Sequence, residues 1–226
     1  MNRPAVIIFL RAPEKGRVKT RLAGRSGNGR GLDEDSVLTL YRAFVEDTIE
    51  AAGRHENLFL FFHPPDRRPL LESWLGTSYR YEAQADGDIG NKMAHAFKSI
   101  FARGVDRAVL VGTDIPELNP EHLDQAGTIL ERADAVIGPS LDGGYYLIGM
   151  NRSVFSVNFF SGISWSTPHV LDETLSVFRQ HGITFELLQP LNDVDTPDDL
   201  NRLKKNAVSG STIGTRSAKI LASCES

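Results

Sequence analysis

Seven short apolar runs alternate with stretches whose hydrophobic residues recur at helical spacing, and few arrangements bury both kinds of segment. The runs cover residues 5–10, 57–62, 79–83, 107–111, 135–138, 145–150 and 184–188. They are apolar almost throughout instead of alternating, the pattern of strands covered on both faces. Between them Val37, Leu40, Tyr41, Phe44, Val45, Thr48 and Ile49 repeat with a helical period, as do Ile89, Met93, Phe97 and Ile100, and later Leu171, Leu175 and Phe178. Such stripes mark core-facing sides of helices. The reading is an α/β fold: a mainly parallel central sheet with helices on both faces. At 226 residues and 41% hydrophobic content the chain can bury one full core, which we expect within residues 1–205. From Asn206 the sequence turns rich in Ser, Thr and Gly, which predicts a flexible tail over residues 206–226.

Open sheets of this kind bind ligands beyond the carboxyl ends of their strands, which directs attention to the segments after Leu10, Val111, Gly138 and Leu188. The first is the most charged. Residues 11–30 place Arg11, Lys15, Arg17, Lys19, Arg21, Arg25 and Arg30 against Glu14 alone, so the segment stands at +6 while the remainder stands at −10. A cationic loop on an anionic body implies a local anionic ligand and argues against a nucleic acid laid along the surface. Gly16 and Gly24 allow positive φ and close backbone approach, while Lys and Arg supply charge-assisted hydrogen bonds. A solvated basic turn is the alternative.

After the run 107–111 comes Gly112-Thr113-Asp114-Ile115-Pro116. A carboxylate at a strand end suits a divalent cation held beside phosphates, because Mg2+ takes hard oxygen ligands and usually only one or two from protein. Helix capping at Pro120 is better served by Asn119. A second acidic segment runs Asn192-Asp193-Val194-Asp195-Thr196-Pro197-Asp198-Asp199. Asp193 and Asp195 alternate along an extended stretch and point to opposite sides, so one of them can face the pocket. Asp195 is the candidate second metal ligand opposite Asp114, with Asp193 the fallback. Thr196 reads as a helix N-cap, with Asp198 and Asp199 structural in the first turn.

Taken together, residues 11–22 (RAPEKGRVKTRL), Gly112-Thr113-Asp114-Ile115-Pro116, residues 138–145 (GPSLDGGY), Trp165-Ser166-Thr167 and residues 193–197 (DVDTP) resemble the bacterial DUF2064 family. That family falls in the nucleotide-diphospho-sugar transferase superfamily, and the resemblance spans about nine tenths of the chain. It implies a single Rossmann-like domain of the GT-A type. It also implies that Lys19 and Arg21 hold nucleoside phosphates, and that Asp114 and Asp195 hold Mg2+ or Mn2+. One departure is visible. The Gly-x-Gly-Thr-Arg form of the related pyrophosphorylases is missing, since Thr20-Arg21 follows Lys19. Gly87, Asp88 and Gly90 match in placement the base-contacting loop of nucleotidyltransferase relatives, or form a plain strand-to-helix turn.

On the acceptor side, Asp142, Gly143, Gly144 and Tyr145 offer close approach and a stacking ring, with a hairpin turn as the alternative. Trp165 lines the acceptor side or belongs to the core, and Thr167 before Pro168 reads as an N-cap. His63, His95, His122 and His169 show no metal spacing.

The leading reading is a metal-dependent transferase whose catalytic residues are Lys19, Arg21 and Asp114. Arg11, Lys15, Gly16 and Arg17 complete the phosphate loop, and no protein nucleophile is required. The donor is a nucleoside triphosphate or a nucleotide sugar, and the acceptor a small molecule. A catalytically silent nucleotide-binding regulator is the alternative. The single cysteine, Cys224, excludes an intrachain disulfide framework or a cysteine-rich zinc site and fits a reducing compartment. The run 5–10 is too short for a signal-peptide core, and no later run approaches a membrane span, so a soluble cytoplasmic protein without membrane insertion is expected.

Overall fold

The computed structural model describes residues 3–23, 31–53, 57–208 and 213–223. Gly24, Arg25, Arg30 and Cys224, named above, lie outside the described residues. All seven apolar runs are strands: β1 (Ala5–Arg11), β2 (Leu58–His63), β3 (Arg80–Ala83), β4 (Arg107–Val111), β5 (Ala135–Pro139), β6 (Tyr145–Asn151) and β7 (Phe185–Leu187). They form one sheet in the order β3-β2-β1-β4-β6-β5-β7. Every pairing is parallel except the two made by β6, which runs antiparallel to β4 and β5. The exception follows from connection length. Residues 140–144 between β5 and β6 suffice for a hairpin, whereas a parallel neighbour needs a crossover of a dozen residues or so.

The helices are α1 (Glu34–Ala52), α2 (Arg68–Leu75), α3 (Ile89–Phe101), α4 (Pro120–Ile129), α5 (Val170–Gln180), α6 (Pro197–Val208) and α7 (Thr215–Ser223). Strand β1 shows how they are apportioned. Its residues from Ala5 to Leu10 are all buried, and the twofold pleat splits them. Val6, Ile8 and Leu10 meet α1, α2 and α4 through Tyr41, Val45, Leu71, Leu123 and Ala126. Ala5, Ile7 and Phe9 meet α3 and α5 through Met93, Phe97, Ile100, Leu175 and Phe178. Helix α1 buries a second face as well, where Val37, Leu40 and Phe44 pack with Leu22, Val194, Leu200, Leu203 and Leu221.

That outer layer corrects the expected tail. Residues 213–223 are not a loose extension. Asp47 on α1 accepts from the backbone N–H groups of Arg216 (3.1 Å) and Ser217 (2.8 Å) and from the Ser217 hydroxyl (2.5 Å), so it caps α7 from another helix. A Cβ on Gly214 would lie 2.3 Å from the Asp47 carboxylate, so only glycine admits this approach. Composition misled because only a few apolar side chains, Leu221 foremost, anchor the segment.

Among the described residues no helix is long and apolar enough to cross a membrane.

Candidate functional site

A cleft of about 860 Å³ opens beyond the carboxyl ends of β1 and β4, where the strand order reverses around β1. One wall is the first loop. Gly16 (φ 69°) closes a turn in which the Arg17 N–H donates to the Glu14 carbonyl at 3.0 Å. Val18 and Leu22 are buried, and Arg17, Lys19, Thr20 and Arg21 between them line the cleft. Two further contacts fix this loop: Glu14 accepts from Arg67 at 2.9 Å, and Lys15 pairs with Asp35 at 2.6 Å. Lys15 is therefore a brace for the loop and does not line the cleft, contrary to its placement among the phosphate ligands. The Tyr41 hydroxyl pins the end of β1, accepting from the Arg11 N–H (2.8 Å) and donating to the Arg11 carbonyl (2.9 Å). Burial holds this phenol well above its ordinary pKa, so it remains a donor.

The centre of the cleft brings together Lys19, Asp114 and Asp195. The Lys19 Nζ stands 2.8 Å from Asp114 Oδ1 and 2.7 Å from Asp195 Oδ1, and Arg21 reaches Asp195 Oδ2 at 3.4 Å. Burial alone lowers the Lys19 pKa, but the charges of Asp114 and Asp195 outweigh it and the net shift is upward, so the ammonium form is secured. Behind this triad the Val194 N–H donates to the Asp114 carbonyl at 3.0 Å, tying the two acidic segments together. Thr196 caps α6 as expected, and Asp199 returns the bond: the Asp199 N–H donates to Thr196 Oγ1 at 3.2 Å and the Thr196 N–H to Asp199 Oδ2 at 2.8 Å. Asp195 lines the cleft and Asp193 does not. Burial, with the carboxylates of Asp142 and Asp195 adding to it, pushes Asp193 up to about 6.

Asp114 and Asp195 each direct an oxygen at one point, a donor set that suits Mg2+ or Mn2+ completed by phosphate and water oxygens. Among the described residues no group of three or more His, Cys, Asp or Glu side chains is arranged to hold a metal.

The opposite wall comes from the start of α3, the β5–β6 hairpin and the loop before α5. Asp88 caps α3, accepting from the Asn91 N–H at 2.8 Å, and Gly90 is buried where a Cβ would fall 2.4 Å from Trp165 Nε1. Gly87, Asp88 and Gly90 thus shape the wall without lining it, while Gln84, Ile89, Lys92 and Met93 present side chains to the cleft. Lys92 was given no role from the sequence, although its place in the first turn of a helix that follows Gly87 and Asp88 was the available signal.

Asp142 and Gly144 line the cleft, and the Asp142 carboxylate also accepts from the Gly144 N–H at 3.0 Å, so the hairpin alternative and the acceptor-side placement coexist. Gly143 (φ 91°) is a packing residue, since a Cβ there would meet the Pro168 carbonyl at 2.2 Å. The Tyr145 ring lines the cleft and meets the Trp165 ring edge to face at 6.4 Å, but its hydroxyl is buried with the Thr174 side chain beside it. The ring can stack on a ligand; the hydroxyl cannot bond one. The capping position of α5 falls at His169, without a side-chain bond of its own, while Thr167 Oγ1 accepts from the His169 N–H at 3.3 Å and donates to the Ser164 carbonyl at 2.7 Å. Lys19 (φ 45°) and Ser166 (φ 64°) are the non-glycine residues with positive φ among those described, and both line the cleft. Backbone strain of that kind collects at functional sites.

Comparison with known proteins bears on the family and the fold. A family profile described as "Uncharacterized protein conserved in bacteria (DUF2064)" matches residues 48–167. The crystal structure of a candidate nucleotide-diphospho-sugar transferase from Desulfovibrio desulfuricans G20 is 35% identical, with a TM-score of 0.89 over 100% of this chain and 96% of that one. A CMP:2-keto-3-deoxy-manno-octonic acid synthetase solved with CTP is 12% identical, with a TM-score of 0.53 over 92% of this chain and 99% of that one. Rv0371c from Mycobacterium tuberculosis H37Rv, solved with manganese, is 17% identical, with a TM-score of 0.51 over 90% of this chain and 100% of that one. The last two likenesses concern the fold. No curated protein matches by sequence.

Proposed function

The chain belongs to the bacterial DUF2064 family within the nucleotide-diphospho-sugar transferases, and from that membership and the geometry of the cleft we propose that it moves a nucleotidyl group from a nucleoside triphosphate to a small acceptor. One observation carries the choice of donor. Arg11, Arg17 and Lys92 line the cleft and form no ion pair among the described residues, while Lys19 and Arg21 already share Asp195. That surplus of positive charge matches a triphosphate better than a donor carrying only two phosphates.

In this reading Asp114 and Asp195 would hold a Mg2+ or Mn2+ ion, which would supply charge to screen the phosphates. Arg17, Lys19 and Arg21 neutralise the charge that grows on the departing pyrophosphate as the acceptor oxygen bonds to the α-phosphorus and the bond to pyrophosphate breaks. Gln84, Ile89 and Met93 border the nucleoside end. Asp142, the Tyr145 ring and Trp165 border the acceptor, whose proton passes to solvent or to Asp142. No covalent enzyme intermediate is involved. A nucleotide-sugar donor is the second reading, favoured by the class given to the Desulfovibrio relative.

The deciding experiment is calorimetric titration with Mn2+ and a panel of nucleoside tri-, di- and monophosphates and nucleotide sugars. Affinity graded from tri- to di- to monophosphate, with pyrophosphate released on adding the correct acceptor, supports nucleotidyl transfer. Equal or tighter binding of nucleotide sugars moves glycosyl transfer to the front.

A further inference from the structure

Of the cations that line the cleft, Lys19 meets both carboxylates at its centre, whereas Arg21 meets Asp195 alone and is far more exposed. The Lys19 side chain is 6% exposed, against 49% for Asp114 and 37% for Asp195, and its ammonium bonds Oδ1 of both. Those two oxygens are the ones that a divalent ion between Asp114 and Asp195 would use. A dication and an ammonium cannot share them, because like charges a few ångströms apart in a partly enclosed site repel strongly. The backbone beneath is fixed: Val18 and Leu22 are buried on either side, and the Leu22 N–H donates to the Lys19 carbonyl at 2.9 Å. Only the four-carbon stem is free to move the charge. Around it lie Arg11 and Arg17, without ion pairs, in the region a polyphosphate would occupy.

We propose that Lys19 is the resident counter-ion of the metal seat, filling the place between Asp114 and Asp195 in the nucleotide-free protein and yielding it to a divalent ion only when a polyphosphate offers the ammonium new acceptors. Metal and polyphosphate then bind cooperatively, each improving the other by the same factor. The inference rests on the reading of Asp114 and Asp195 as metal ligands and adds to it an order of events: phosphate engagement frees the carboxylates.

The test is Mn2+ binding by electron paramagnetic resonance, with and without inorganic tripolyphosphate, to wild type and Lys19→Met. Wild type should bind Mn2+ alone weakly and gain strongly from tripolyphosphate. Lys19→Met, which keeps the stem and removes the charge, should bind Mn2+ alone about ten- to a hundredfold more tightly than wild type, with a smaller gain from tripolyphosphate. If Lys19→Met binds Mn2+ no more tightly while tripolyphosphate still recruits the ion to both proteins, the resident counter-ion is refuted and the metal ligands stand. If neither protein binds Mn2+ under either condition, the metal assignment falls and the inference with it. Circular dichroism checks the fold of the variant. Should it fail to fold, the 15N resonance of the Lys19 ammonium in wild type decides: it should stay put on adding Mg2+ alone and shift on adding Mg2+ with tripolyphosphate. A shift with Mg2+ alone overturns the proposal.

Discussion

Two charged clusters join distant parts of this chain, and they do so in opposite ways. At the foot of α1, Asp47 is 5% exposed and receives two backbone N–H groups and a hydroxyl from the start of α7, with the Arg216 guanidinium at 3.4 Å. Its partners are nearly all fixed by the backbone, so the carboxylate has no capacity left and nowhere to move. In the cleft, Asp114 and Asp195 are half-exposed and answered by the ends of long side chains, Lys19 and Arg21. Those partners can rotate away. A carboxylate bound by backbone donors stabilises the fold, whereas one bound by mobile cations in an open cleft can exchange them for a ligand.

The contrast is most exposed to failure at Asp47. Asp47→Ala strands two N–H groups and a hydroxyl at the start of α7, while the Arg216 guanidinium keeps Glu46 and Glu50, and should cost about 3 to 5 kcal/mol in urea-induced unfolding. Affinity for Mn2+ and triphosphate, measured where the variant is folded, should hardly change. One path could defeat that: the Gly214 N–H donates to the Pro116 carbonyl at 2.9 Å, just beyond Asp114. If affinity falls together with stability, the two clusters are coupled through that bond and the contrast breaks.

Asp114→Asn should behave the other way round. We expect Mn2+-dependent triphosphate affinity to drop about a hundredfold, roughly 2.7 kcal/mol, while unfolding shifts by less than about 1 kcal/mol because the lost ion pair is partly solvated. Calorimetry showing wild-type affinity for Mn2+ and triphosphate would remove Asp114 from the site. Asp195→Asn should weaken the metal more than Asp193→Asn, since Asp195 lines the cleft and Asp193 does not.

The first loop refines the contrast within one stretch of sequence. Arg17→Ala should weaken triphosphate binding about ten- to a hundredfold, by charge-assisted bonds worth about 1.5 to 3 kcal/mol, and more for triphosphate than for diphosphate or monophosphate. Lys15→Ala should barely matter for binding, because Asp35 already takes that charge at 2.6 Å. Equal losses from the two would mean that the loop acts as a diffuse positive field and not through chosen contacts.

Sequence pattern carried the fold further than the site for a physical reason. The strands and the stripes of α1, α3 and α5 depend on burial, and burial leaves a periodic trace in the order of apolar residues. The first loop was legible from its charge and its glycines; in the fold Val18 and Leu22 anchor it, Arg17 and Arg21 face outward and Lys19 is enclosed. Which cation meets which anion leaves no such trace. Lys19 and Asp195 are 176 positions apart, and nothing local distinguishes a lysine that will meet phosphate from one that will meet a carboxylate. The docking of α7 was hidden similarly, since Asp47 reads as one more polar residue of a helix until the end of another helix arrives above it. Gly16 takes the positive φ expected of it, in a turn, whereas Gly90 and Gly143 make room for Trp165 and Pro168, a packing reason that local sequence does not carry.

The smallest effect concerns His122, an ionisable group that belongs wholly to the structural side. Its Nδ1 accepts from the Asn119 N–H at 3.2 Å, closing the cap of α4, and its Nε2 faces the Gln189 side-chain amide at 2.8 Å. The ring is 4% exposed and meets Tyr146 edge to face. Accepting at Nδ1 requires a neutral ring, and burial lowers the pKa from the usual 6.5, with Glu121 pulling weakly the other way. The folded protein therefore binds fewer protons at this site than the unfolded chain does. The contribution is complete above the unfolded pKa and is lost as the pH falls through it, so acid weakens the protein here. Unfolding free energies measured from about pH 8 to about pH 5 should decline in wild type more than in His122→Gln, which cannot titrate, and the gap between the two should narrow toward acid. Parallel curves would show that His122 is protonated as easily when folded as when unfolded, and would take the neutral ring out of the α4 cap.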